Sequence, residues 1–216
     1  MSKKTISVED VIFYINAICN DLTYEEHFEY FEPLYVAIRE DEEISKKFAT
    51  ITNSHNTFIE VLKNNEDYWG FFDDGCVKWQ SSLAIMSRSQ YSEVRIKAVK
   101  HNKLIAFELM HDPDPNVRSA CVYASTKIAD VLMHDQHPYV RAVCALKDES
   151  YGLKLINDPS DVVREWCANW EACARQYVHD KSEKVRWNAL YQNKNLAGLY
   201  INDPNDEIRN LALKYL

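Results

Sequence analysis

One dipeptide, Val-Arg, returns along the second half of the chain at an almost fixed interval. Its arginines are Arg95, Arg118, Arg141, Arg164 and Arg186, and Ile208 replaces the valine before Arg209. The steps between them are 23, 23, 23, 22 and 23 residues. A period this regular restricts the fold more than any other feature. It marks short structural units that cannot bury their own apolar faces and so must stack on one another.

The columns around the arginine say what each unit contains. One residue before it stand Val94, Val117, Val140, Val163, Val185 and Ile208. Three after it stand Ala98, Cys121, Cys144, Cys167, Ala189 and Ala212, all small, as close stacking of helices requires. Four after it stand Val99, Val122, Ala145, Ala168, Leu190 and Leu213. Offsets of −1, +3 and +4 lie on one helical face, so the motif opens a short amphipathic helix. Apolar pairs later in each unit, from Leu109 and Met110 to Tyr200 and Ile201, predict a second helix, short enough to be a single turn or 3₁₀. Six residues before the arginines stand Asp112, Asp135, Asp158, Asp180 and Asp203, with Ser89 in the first unit. These residues are turn and cap formers. The expected fold is an all-α, right-handed solenoid of about five 23-residue, two-helix repeats over 88–216, behind an N-terminal helical cap domain over 1–87.

The arrangement resembles the leucine-rich repeat variant family, on its Asp-Pro-x-x-Val-Arg string, its small residue three on and its leucines near the end. That family implies an α-helix and a 3₁₀ helix per unit. Its members include one with an iron–sulfur cluster held by an N-terminal cysteine cluster. Here the N-terminal part has only Cys19 and Cys76, so no such cofactor is expected. The Asp and Arg six apart, as in Asp112 and Arg118, also resemble HEAT repeats, which implies an Asp–Arg ladder between neighbours. The ladder would comprise Asp112, Arg118, Asp135, Arg141, Asp158, Arg164, Asp180, Arg186, Asp203 and Arg209.

Charge separates the same two regions. Residues 1–88 hold 16 acidic and 8 basic residues, whereas 89–216 hold 17 of each, so the whole excess of −8 is N-terminal. The array therefore has no basic surplus for a nucleic-acid backbone. Glu25, Glu26, Glu29 and Glu32, with Glu40, Asp41, Glu42 and Glu43, offer either a solvated face or a surface for a basic partner. Tyr68 and Trp69, in the segment NEDYWGFFDDG, join them as candidate contacts. No apolar run is long enough to span a membrane. The start, MSKKTISVED, has no apolar segment of a signal peptide, so the default location is cytoplasmic.

No catalytic motif stands out. Cys121, Cys144 and Cys167 are a period apart, on the order of 10 Å for packed helices, whereas one zinc needs sulfurs about 2.3 Å away. They are read as buried packing residues. His111, His134 and His179 share a column with Asn157 and Asn202, which implies a hydrogen-bonding turn position rather than a metal set. Trp166 and Trp170, one helical turn apart, sit off the apolar stripe and with Trp187 form a candidate hot spot. The favoured function is a non-enzymatic protein that binds a basic partner protein by its concave face and acidic cap, as an inhibitor or immunity-type protein. The alternative is a HEAT-like nucleic-acid-binding protein or DNA glycosylase, with the tryptophans beside Asp161 and Glu165.

Overall fold

In a computed structural model, residues 6–19, 24–64 and 69–216 are described. They form helices joined by short turns, with no strand among the described residues. None of the described helices is long and apolar enough to cross a membrane. The chain divides into two compact units, Met1–Leu109 and Met110–Leu216. The first holds 18 acidic and 12 basic residues and the second 15 and 13, so most of the acidic excess lies in the first.

The first unit contains α1 (Val11–Cys19), α2 (Tyr24–Glu40), α3 (Glu42–Thr52), α4 (Asn56–Asn64), α5 (Gln80–Met86), α6 (Ser92–His101) and α7 (Lys103–Leu109). Asp41 separates α2 from α3. Its carboxylate accepts the amides of Glu43 and Ile44, the free donors that open a helix. The sequence pattern predicts a single helix over 42–63, weakened at its middle. Instead the helix ends at Thr52 and restarts at Asn56, because Asn53 turns its amide onto the Ile85 carbonyl, 3.0 Å away. Phe48, Phe58, Phe71 and Phe72 are fully buried and edge or tilt against one another. Their clustering makes a helical π-turn, Phe71–Gly75, part of the core. A Cβ on Gly75 would come within 2.7 Å of Ile38, so only glycine lets this turn lie against α2. Lys78 and Trp79 then donate to the Arg39 and Ile38 carbonyls, which the end of α2 leaves unpaired. Ser45 and Ser82, both fully buried, join their hydroxyls at 2.7 Å where α3 crosses α5.

The repeat onset read at residue 88 falls inside this first unit. The reason is α6, which packs on α5 and whose Lys97 bonds Asp73 of the π-turn at 2.5 Å.

The second unit is an α-solenoid. First helices α8 (Pro115–Cys121), α10 (Pro138–Lys147), α12 (Asp161–Cys167), α14 (Glu183–Gln192) and α16 (Asp206–Tyr215) each pack on the next. Between them run the second helices α9 (Thr126–Leu132), α11 (Glu149–Lys154), α13 (Glu171–Ala174) and α15 (Ala197–Tyr200), eked out by 3₁₀ turns at Arg175–His179 and Lys194–Leu196. The −1 and +3 columns are buried throughout the chain. The +4 column is buried too, except at Leu213, which is 62% exposed.

Candidate functional site

The turns between repeats carry a ladder of buried ion pairs. Arg118 donates through Nε and Nη2 to the two Asp135 oxygens at 2.7 and 2.9 Å. Arg141 does the same to Asp158, Arg164 to Asp180 and Arg186 to Asp203. The partner is thus the aspartate of the following repeat. The aspartate six residues before each arginine contributes its backbone carbonyl instead, to Nη1, as Asp112 does for Arg118 at 2.8 Å. Each aspartate also accepts the amide two residues on, at 2.7–2.9 Å, so that carboxylate closes the turn as it binds the fork. A planar guanidinium suits this double, fork-to-carboxylate contact in a way that lysine does not. Arg209 keeps the carbonyl contact to Asp203 at 2.5 Å, and its Nη2 turns to Asp206 of its own helix.

Burial raises the proton affinity of Asp135, Asp158 and Asp180. The guanidinium fork and the amide bond outweigh it and hold all three carboxyls below their ordinary value. The ladder is therefore internal wiring, with its arginines committed rather than presented to a ligand. The histidine column next to it is exposed. The bonding at the turn is done one residue later by aspartate, which has two acceptor oxygens where the imidazole has at most one. Among the described residues no group of three or more His, Cys, Asp or Glu side chains is placed to hold a metal. Cys121, Cys144 and Cys167 are fully buried, and burial pushes their thiols up to about 12.

A second ladder ties the repeats from the other end of the first helices. The carbonyls of Val122, Ala145 and Ala168 each accept a side-chain donor 25 residues on. The donors are Lys147 at 3.2 Å, the Trp170 indole at 2.8 Å and the Asn193 amide at 2.9 Å. Sequence reasoning missed it, because the donors are three unlike residues, and Asn193 stands seven after its arginine where Lys147 and Trp170 stand six. Trp170 does not share a helix with Trp166, contrary to the spacing. The helix α12 ends at Cys167, and Trp170 lies beyond it, as the cap before α13. Its ring fills space left by Gly152, where a Cβ would sit 2.6 Å from the indole.

The other tryptophans do lie at the surface. Trp166 is half-buried and meets Tyr139 edge-on at 5.7 Å. Trp187 is 39% exposed and stacks on Tyr191 at 4.6 Å. With Tyr123, in the 3₁₀ turn Val122–Ala124 that follows α8, and Val162 they form a largely aromatic row that runs on over α10, α12 and α14, on the side of the first helices opposite the buried columns. Its signal in the sequence was the aromatic content at offsets −2, +1, +2 and +5 from the arginines. Glu165 and Lys184 lie within the row and act on each other, and the Lys147 ammonium stands over the Tyr123 ring, 5.6 Å from its centre.

In the first unit, Glu40, Asp41, Glu42 and Glu43 are all exposed. Asp41 caps α3, Glu42 accepts a bond from Ser81 at 2.7 Å, and Glu43 pairs with Lys46 at 3.5 Å. Trp69 is half-buried beside Phe72, with the Lys97 ammonium 5.1 Å over its ring. Tyr68, and the side chains of Glu25, Glu26 and Glu29, lie outside the described residues.

A HEAT repeat family model matches residues 105–132, the stretch that contains α8, α9 and the first ladder residues. The repeat is HEAT-like. HEAT repeats generally mediate protein–protein interaction and typically act as non-enzymatic scaffolds. A comparison with curated proteins found no match.

Proposed function

We propose that this chain is a non-catalytic protein-binding module whose main contact surface is the aromatic row of the second unit. The observation that carries this reading is the exposure of Tyr123, Tyr139, Val162, Trp187 and Tyr191, at 59, 38, 40, 39 and 46%, in successive repeats. Aromatic rings clustered in a field of little charge are the composition of an interface centre. The commitment of the ladder arginines argues in the same direction, since a nucleic-acid surface would need them free. The period of 22–23 residues and the 3₁₀ turns in the second helices support a short repeat of the leucine-rich-variant kind within this HEAT-like class.

We further read the partner as a protein with a basic surface, in the manner of an inhibitor or immunity-type protein. The support is the net charge of −8 and the exposed carboxylates of Glu40, Glu42 and Glu43. The test is affinity capture at low and moderate salt, with mass spectrometry, followed by variants of the captured complex. Trp166→Ala and Trp187→Ala should each weaken it at least tenfold. Charge reversal at Glu40, Glu42 and Glu43, sparing the capping Asp41, should slow association and reduce its salt dependence. Retention of full affinity by both tryptophan variants would overturn the contact surface. An unchanged salt dependence in the reversed variant would overturn the basic partner.

A further inference from the structure

We draw no further inference here: the strongest candidate, the α16 face on which Leu213 stands exposed beside Arg209 like the receiving half of one more repeat joint, carries nothing because nothing in the structure shows what covers it.

Discussion

The Arg164 guanidinium reaches the Asp180 carboxylate across 16 residues, whereas the forks of Arg118, Arg141 and Arg186 span 17. The bond lengths are nevertheless the same, 2.7 Å at Nε against 2.7–2.8 Å elsewhere. The missing residue is the 22-residue step between Arg164 and Arg186. It is absorbed at Arg175–His179, which winds as 3₁₀. Five residues at three per turn cover what about six would cover as α-helix. The ladder thus sets the register, and the second helix adjusts its winding to suit.

That joint is the place to measure the worth of the ladder. Both side chains are under 10% exposed, so Arg164→Ala strands a buried carboxylate. It should cost about 3–5 kcal/mol of unfolding free energy, read by urea denaturation. Pairing Arg164→Met with Asp180→Asn removes both charges and keeps an acceptor for the Ser182 amide, 2.8 Å away. The double variant should recover at least half of the loss. Equal losses for the single and double variants would mean that packing, not charge, holds the joint.

Acid should act through the same groups. Asp135, Asp158 and Asp180 are held below their ordinary value of 3.8 in the folded chain. A depressed carboxyl stabilises the fold fully above the ordinary value, and that stability disappears as the pH falls through the lower folded values. The melting temperature should therefore be level from about pH 7 to 5 and fall steeply below about pH 4. Thermal scans followed by circular dichroism test this, and a melting temperature flat down to pH 2.5 would contradict it.

Much of this architecture was legible in one sequence. The period fixed where each first helix begins, and the −1 and +3 columns are buried throughout because a stacked face tolerates only apolar and small residues. Leu213 was legible as a core position and is exposed, since burial at +4 depends on a neighbour that its column cannot report. Arg118 and Asp135 could be assigned to a ladder, but not to each other, because spacing alone equates the aspartate 6 residues before with the one 17 after. Trp170 was hidden for a different reason. Its role depends on Gly152, whose missing Cβ leaves no hydrophobic pattern to read.

Gly152→Ala makes that dependence measurable. The added methyl would lie 2.6 Å from the indole of Trp170 and 3.3 Å from the Cys173 sulfur. The ring must move, and its bond to Ala145 lengthens or breaks. The expected cost is about 1–3 kcal/mol, as for overpacking, with a shift in tryptophan emission. Trp170→Ala should also destabilise, whereas Trp187→Ala, at an exposed position, should change stability by less than about 1 kcal/mol. A stable Gly152→Ala with unaltered emission would show that the ring is not confined.

The buried thiols give a prediction without mutation. Cys76, Cys121, Cys144 and Cys167 are fully buried with thiols raised to about 12, and Cys173, equally buried, to about 11. At pH 8 the thiolate fraction at such a site is about one in ten thousand. Native protein should react slowly with a disulfide reagent, beginning at the half-buried Cys19, and all six thiols should become reactive on unfolding. Rapid labelling of Cys144 in the folded protein would contradict the packing described.

Two tyrosines in one column should respond oppositely to the same substitution. Tyr177 and Tyr200 occupy the position held by leucine in the earlier repeats, at Leu109, Leu132 and Leu155. Both are buried, at 4 and 0% exposure. The Tyr177 hydroxyl donates to the Ile156 carbonyl at 2.9 Å, whereas that of Tyr200 finds no partner among the described residues. Burial above all, with Cys167 beside Tyr177 and Asp203 beside Tyr200 adding to it, raises both phenols well above their ordinary range, so neither titrates near neutrality. Tyr177→Phe deletes a made bond and leaves a carbonyl behind, at a cost of about 1–2 kcal/mol. Tyr200→Phe deletes an unsatisfied polar atom and should be neutral or stabilising by up to about 1 kcal/mol. Urea midpoints of the two variants, compared at a common slope, test the pair together. A loss of stability in Tyr200→Phe equal to that in Tyr177→Phe would mean that the Tyr200 hydroxyl is bonded after all, and that the column makes the same contact twice.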